Sequence, residues 1–413
     1  MQLAAILPEP STERVAVHVR KAAIREIRAG HPWIWDGSVE RLSKPGAPGD
    51  LAVVFDDKRD FAAIGLFDPD NPIMVRVLHQ GRPRTIDNEF FAERILEAIT
   101  RRQSLIDDPN TTGYRLVHGE NDRLPGLVVD RYADSLVVRI DTVAWLPHLR
   151  SALAPLVDLT EPERVVLRAS RRISGSLPPD LHDGVTLLGT PPTGAIEFRE
   201  NGLIFEADIE RGQKTGHFLD QRANRLLVGE RCNDADVLDL FCNTGGFSVH
   251  AAAGGARSVH SVDLSPHAVE ATKRHMELNR AELGFAAEHT AAVADAFDAL
   301  ESLLDRRARF DVVIVDPPSF APNAASVPGA RRAYRRLTAL AIQLLGSGGT
   351  LFQASCSSRI DAIDFHDLIA DELDMAGFKA TDEVRTAHTI DHPIAFAEGA
   401  YLKATLADIT RRR

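Results

Sequence analysis

The stretch Val237-Leu238-Asp239-Leu240-Phe241-Cys242-Asn243-Thr244-Gly245-Gly246, followed by FSVHAAAGG (247–255), decides how this chain is read. An apolar run that breaks at a glycine pair and resumes with helical spacing is a strand, a tight turn and a helix, the unit that cradles a nucleotide-like ligand in open α/β sheets. Glycine belongs in such a turn because the backbone bends sharply and a ligand must approach without a β-carbon in the way. The G-x-G-x-x-G spacing of dinucleotide enzymes is absent, so the turn alone is also compatible with an ordinary strand-to-helix connection. Three further apolar runs, RSVHSVDL (257–264), FDVVIVD (310–316) and GTLFQAS (349–355), alternate with helical patterns. That rhythm predicts a parallel doubly wound sheet, a Rossmann-like α/β domain over residues 201–413.

Working upstream, residues 15–79 hold a helix-like RKAAIREIRAG (20–30) and the short strands LAVVF (51–55), FAAIGLF (61–67) and IMVRVLH (73–79), the pattern of a small β-rich barrel through residue 82. An amphipathic helix follows over 90–106. Alternation then resumes over 114–140 around the turn formers Asn121, Asp122, Pro125 and Gly126, which predicts a mixed α+β unit over 83–200. The Pro/Gly-rich segment SGSLPPDLHDGVTLLGTPPTG (174–194) reads as a loop, and FRENGLIFEADI (198–209) leads into the last domain.

With 413 residues, 44% of them hydrophobic, the chain can bury more than one core. No apolar run approaches the ~18 residues of a membrane span, and MQLAAILPEPSTER at the start lacks the features of a signal peptide, so no membrane association and a cytoplasmic location are expected. Cys232, Cys242 and Cys356 are too few for a disulfide framework and lack Cys-x-x-Cys spacing, so no metal site is expected and any functional cysteine acts singly. The net charge of −11 is a mark against a nucleic-acid partner, yet basic clusters exist: Arg20, Lys21, Arg25 and Arg28; Arg168, Arg171 and Arg172; Arg331, Arg332, Arg335 and Arg336. Taken singly, such clusters are more often solvated faces than phosphate tracks.

Carboxylates recur at the predicted strand ends. Asp263 closes the second strand, where it can accept both ribose hydroxyls of an adenosyl group, and Ser265 and Pro266 then start a helix. Asp295 falls where the next strand should end and can accept from an adenine amine; each acid alone can equally be a helix cap. Asp316-Pro317-Pro318-Ser319-Phe320 ends the fourth strand. Its prolines fix the backbone and offer no N–H, so carbonyls and the Asp316 carboxylate present acceptors suited to the exocyclic amine of a base, on which Phe320 can stack. A proline-stopped loop is the plainer alternative.

The fifth strand ends in Ser355-Cys356-Ser357, at the same edge. Carbon 5 of a pyrimidine is a poor nucleophile; a thiolate added to carbon 6 makes an enamine that can attack a sulfonium methyl, after which a base removes the carbon-5 proton. Nitrogen methylation needs no thiol. An isolated cysteine is otherwise a small buried hydrophobe, the reading taken for Cys232, while Cys242 in the glycine turn is a rival nucleophile on the methyl donor's side.

The combination GQKTGHFLDQRANR (212–225), LDLFCNTGGFSVHAAAGGA (238–256), DPPSF (316–320), ASCSS (354–358) and DHPIAFAEGAYLK (391–403) closely resembles the bacterial 23S rRNA cytosine-C5 methyltransferases that carry an N-terminal PUA domain. HPWIWDGSVE (31–40) and 114–132 are similar to that family as well, so the resemblance spans nearly the whole chain and is most specific in the catalytic half. It implies a PUA domain over 1–82, a central α+β domain over 83–200, a class I methyltransferase domain over 201–413, and assembly as a homodimer. It also implies S-adenosylmethionine contacts from Gln221, Arg222, Asp239, Phe241, Asn243, Thr244, Gly245, Asp263, Asp295 and Asp316, with Pro317, Pro318 and Phe320 against the base. Cys356 is then the nucleophile, and Asp316 holds the cytosine or assists proton removal. The turn reads Cys242-Asn243-Thr244 where the family more often has S-Y-T, with both glycines kept. The expected activity is methylation of a large-subunit ribosomal RNA cytosine. The rivals are methylation of a base nitrogen, and an RNA-binding or assembly protein that holds the methyl donor without turnover.

Overall fold

The computed structural model describes residues 3, 6–212 and 215–412. Gln213 and Lys214 of the 212–225 motif, and Met1, Gln2, Ala4 and Ala5 of the N-terminal stretch, lie outside the described residues. The chain divides into two compact units: Met1–Arg199 with Glu206–Leu219 and Ile390–Gly399, and Glu200–Phe205 with Asp220–Thr389 and Ala400–Arg413.

The first unit opens with a six-stranded sheet built from β1 (Arg14–Val19), β2 (Trp33–Trp35), β3 (Val39–Leu42), β4 (Leu51–Phe55), β5 (Phe61–Phe67) and β6 (Ile73–Gln80), in the order β2-β6-β5-β4-β1-β3. Helix α1 (Lys21–Arg28) buries Ala23, Ile24 and Ile27, the face its i, i+3, i+4 apolar spacing predicts, in a core shared with Val17, Val54 and Phe67. Next come α2 (Asn88–Arg101), capped by the Asp87 side chain accepting from the Phe90 N–H, a short α3 (Gln103–Ile106) and α4 (Leu149–Thr160). These helices accompany a five-stranded sheet of β7 (Gly113–His118), β8 (Leu127–Tyr132), β9 (Ser135–Ile140), β10 (Arg164–Ala169) and β11 (Val185–Leu188) in the order β11-β10-β9-β8-β7.

Strand β11 corrects the loop expected over 174–194. It pairs antiparallel with β10 and buries Leu187 and Leu188. Four residues flanked by Gly184 and Gly189 are too short for alternation to register; its partner, fifteen or more positions away, supplies the order. Asp122, expected as a turn former, is also a buried anchor. Its carboxylate accepts two bonds from the fully buried Arg102 guanidinium, at 2.9 and 2.6 Å, and one from the His118 N–H at 2.7 Å. Arg102 donates as well to the Asp391 carbonyl, and Asp391 accepts from the Arg115 N–H, so 390–399 is bound into this unit.

β12 (Ile196–Glu200) and β13 (Leu203–Ala207) form a two-stranded sheet along which the chain passes from one unit to the other. The second unit is a seven-stranded sheet of β14 (Asp236–Leu240), β15 (Ser258–Asp263), β16 (Glu288–Val293), β17 (Phe310–Val315), β18 (Leu345–Ser355), β19 (Phe378–Thr386) and β20 (Lys403–Arg411), in the order β16-β15-β14-β17-β18-β20-β19. Strands β14 to β18 are mutually parallel, as the alternation of strands with helices predicts. The sheet is not wholly parallel: β20 runs antiparallel to β18, and β19 antiparallel to β20. Helices α5 (Arg222–Gly229), α6 (Gly246–Ala253), α7 (Pro266–Leu283), α8 (Ala296–Asp305), α9 (Val327–Leu344) and α10 (Ala362–Met375) complete it. Tyr334, Leu337 and Phe365 pack with Leu238, Val313 and Leu351 in one core.

Three of the four arginines of the late basic cluster are paired with acids. Arg331 pairs with Asp364, Arg335 with Asp371 and Glu372, and Arg336 with Glu301. In the middle cluster, Arg168 is buried against Asp183 and the carbonyls of Ile209 and Gly212.

Candidate active site

Strand order reverses at β14, with β15 on one side and β17 on the other, so a crevice opens at the carboxyl end of β14, the position where open α/β sheets bind ligands. The turn there is conformationally unusual. Phe241 and Asn243 adopt positive φ (61° and 49°), and Gly245 has φ 80°. A β-carbon on Gly245 would lie 2.7 Å from Thr272 Cγ2, and one on Gly246 would lie 2.7 Å from Arg225 Cδ, so both glycines answer to close packing, and Gly245 to its φ as well. Thr272 Oγ1 donates to the Asn243 carbonyl, and the His275 ring meets the Thr244 carbonyl at 2.7 Å, tying the turn to α7. Beside Gly246, Arg225 forms a buried two-bond pair with Glu200 at 2.6 and 2.7 Å.

Asp263 stands against this turn. Its Oδ2 accepts from the Asn243 N–H and its Oδ1 from the Ser265 N–H, both at 2.9 Å; the carboxylate thus orients the loop, with further lone pairs left for hydroxyl donors. Ser265 caps α7, as expected from sequence. Asp295 is exposed and caps α8, accepting from Phe297 and Asp298 N–H groups. It lies two residues beyond β16 rather than at its last position.

Asp239 is fully buried. Ser248 donates to its Oδ2 at 2.6 Å, whereas Oδ1 has no hydrogen-bond partner among the described residues. Burial, with Asp316 and Asp263 nearby, pushes its carboxyl up to about 7 against the Ser248 hydrogen bond. A buried acceptor without a donor is the complement of an ammonium group, so the residues present fit the amino-acid end of S-adenosylmethionine. Asp316, at the end of β17, accepts from Gln221 Nε2 at 2.8 Å; Gln221 is held in turn by Asn224, and Asn224 by Thr386. Arg222 is buried at the start of α5. Pro317 is buried, Pro318 exposed, and Phe320 half-buried with its ring edge-to-face against Tyr334, centroids 5.2 Å apart.

Cys356 is half-buried, and its Sγ lies 3.8 Å from the Pro317 carbonyl, so the ends of β17 and β18 meet there. Ser355 Oγ fixes the cysteine's turn, accepting from the Tyr334 hydroxyl at 2.9 Å and the Ser357 N–H at 3.3 Å. The other two thiols are sealed. Cys232 donates to the Val228 carbonyl, and burial pushes it up to about 12. Cys242, packed toward Thr272, is likewise pushed upward by burial. Sequence reasoning missed Lys403, buried behind Cys356, and Tyr334; the first lay in a quoted motif without a role, and nothing local marked the second. Among the described residues no group of three or more His, Cys, Asp or Glu side chains is arranged to hold a metal, and no helix is long and apolar enough to cross a membrane.

This sheet order, with a glycine turn at the switch point and a buried acceptor in the strand leading into it, defines a Rossmann-like S-adenosylmethionine-dependent methyltransferase. Residues 176–376 match the family model of that description, and residues 17–80 match a PUA-like domain. The chain is 42% identical over 402 residues to a ribosomal RNA large subunit methyltransferase of Deinococcus radiodurans, covering 96% of this chain and 98% of that one. It is 36% identical to a ribosomal RNA large subunit methyltransferase I of Shewanella amazonensis, covering 96% and 99%. The chain belongs to the family of these PUA-containing S-adenosylmethionine-dependent methyltransferases. A solved structure of a protein from Streptococcus mutans, described as an S-adenosylmethionine-dependent methyltransferase, shares the fold with a TM-score of 0.79 at 20% identity, covering 95% of this chain and 99% of that one.

Proposed function

We propose that the chain methylates carbon 5 of a cytosine in large-subunit ribosomal RNA, with Cys356 forming a transient covalent adduct. One observation carries the reading: the half-buried thiol lies 3.8 Å from the Pro317 carbonyl, at the edge where Asp316 ends its strand, while Cys232 and Cys242 are sealed away. Similarity over nearly the whole chain to ribosomal RNA large subunit methyltransferases supports the RNA class. S-adenosylmethionine, when bound, supplies the methyl group that carbon 5 takes up. Asp239, Asn243, Thr244, Gly245 and Asp263, with Phe241, Gln221, Arg222, Asp295 and Asp316 around them, are the residues we assign to holding it.

Cys356 as thiolate adds to carbon 6: the sulfur–carbon bond forms, and the C5–C6 π pair moves onto carbon 5. Carbon 5 uses that pair for its bond to the methyl group; loss of the carbon-5 proton then leaves the C5–H bonding pair to re-form the C5–C6 double bond, and the C6–S bond breaks with its pair returning to the Cys356 sulfur as thiolate. Asp316, anchored by Gln221, holds the exocyclic amine or takes that proton. Asp316→Asn separates the two, because an amide still accepts from the amine yet cannot remove a proton, and a base role leaves an RNA–protein adduct visible on a denaturing gel. Pro317, Pro318 and Phe320 form the wall for the base. We further assign residues 1–82, 83–200 and 201–413 to RNA-binding, central and catalytic domains of a cytoplasmic homodimer.

The test is to incubate RNA from a strain lacking this protein with the wild type and with Cys356→Ala, and to map new methyl groups by mass spectrometry. New 5-methylcytosine from the wild type alone is expected. A methylated purine or ring nitrogen, or undiminished transfer by Cys356→Ala, overturns the covalent reading; tight methyl-donor binding without transfer to any RNA points instead to an assembly protein.

A further inference from the structure

Lys403 is 3% exposed, yet it forms no ion pair with a carboxylate among the described residues. Its Nζ donates to the Ser357 carbonyl and, at 3.1 Å, to the Tyr401 carbonyl. Strand pairing brings it there: Lys403 is the register partner of Ser355, so the antiparallel β20 delivers a cation to the turn that carries Cys356. A buried ammonium held by carbonyls alone is an expensive arrangement unless an anion forms beside it.

We propose that Lys403 is a positioning residue that favours the thiolate of Cys356 and fixes the Ser357 side of its turn. The inference deepens the covalent reading above and rests on it for its catalytic meaning. In the step concerned, the thiol proton leaves to solvent, the sulfur lone pair forms the bond to carbon 6, and Lys403 keeps its protons throughout. Burial draws the Lys403 ammonium down to about 8, and the neighbouring Cys356 and Asp361 work against that fall. The other ionisable groups facing this corner are Asp316 from β17, Tyr334 from α9, and Asp361 and His366 from α10. Among them Lys403 alone is a buried amine hydrogen-bonded to the cysteine's own turn.

The experiment follows the alkylation rate of Cys356 by iodoacetamide from pH 5.5 to 10 in the full-length protein, resolved by peptide mass spectrometry. The peptides of Cys232 and Cys242 report unfolding. In the wild type, half-maximal reactivity should fall clearly below the ordinary thiol value of about 8.5. Lys403→Met should move the midpoint up by about one pH unit, slowing the reaction roughly tenfold at pH 7, while Lys403→Arg should stay near the wild type. A wild-type midpoint at or above 8.5, or identical profiles in folded wild type and Lys403→Met, overturns the proposal; so does a folded Lys403→Arg whose midpoint has risen to the ordinary value. The thiol readout is separate from turnover. An active Cys356→Ala would sink the covalent reading while leaving a low midpoint intact, and an unshifted midpoint with an inactive Cys356→Ala would sink only the role of Lys403.

Discussion

Asp239 should make methyl-donor affinity depend on pH where ordinary carboxylates no longer titrate. Its carboxyl is pushed from 3.8 to about 7 by burial, and its Oδ1 awaits a donor. The ionised form is the one that can receive an ammonium. With a midpoint near 7, about half of the molecules carry it at pH 7 and about 3% at pH 5.5, so affinity should weaken roughly fifteenfold across that window, or about 1.6 kcal/mol. The donor's own amine, an α-amino group with a pKa of about 7.7–8.0, remains largely charged throughout and does not produce the slope. Stability moves the other way. Because the folded-state value lies above the unfolded one, the protonated form stabilises the fold at low pH, and that contribution is lost as pH rises from about 4 to about 7. Asp239→Asn should therefore bind S-adenosylmethionine at least tenfold more weakly at pH 7 and flatten the pH slope. It should also stabilise the ligand-free protein at pH 8, by at most about 4 kcal/mol, seen as a raised melting temperature. Calorimetric titration and thermal melts at matched pH read both effects. A wild-type affinity unchanged between pH 7 and 5.5 would refute the reasoning, as would an Asp239→Asn that binds normally.

Gly245→Ala adds a β-carbon 2.7 Å from Thr272 Cγ2 at φ 80°; a loss of about 1–3 kcal/mol in stability and a weaker methyl-donor Kd are expected, from chemical denaturation and titration. Arg225→Met leaves the buried Glu200 without its two-bond partner and should cost about 3–5 kcal/mol by urea denaturation. Cys232→Ala should lower stability by roughly 1 kcal/mol yet leave methyl transfer intact, because that thiol only fills the core and donates to Val228; lost activity in a folded variant would contradict this.

The parallel strands and the glycine turn were legible because their signals are local. Val312–Val315 is an unbroken apolar run, Val237–Leu240 is broken only by Asp239, and Gly245 is demanded by backbone geometry at its own position. Cys356 was legible as a strand-end residue for the same reason. Strand β11 was not, since its four residues become a strand only through β10. The basic run from Arg331 to Arg336 looked like a patch of positive charge until folding set Glu301, Asp364, Asp371 and Glu372 against it.

The sequence by itself determined which segments form the catalytic sheet and which acids and thiol stand at its strand ends, because periodicity and turn chemistry act over a few neighbouring residues. Only the tertiary structure decided what those groups touch: Gln221 on Asp316, Cys356 beside Pro317, and Lys403 behind the cysteine's turn. Those pairs are separated by 95, 39 and 46 positions along the chain, and no local pattern encodes them. They arise when strand pairing and burial close the loops between them, and burial is also what lifts the Asp239 carboxyl and draws down the Lys403 ammonium.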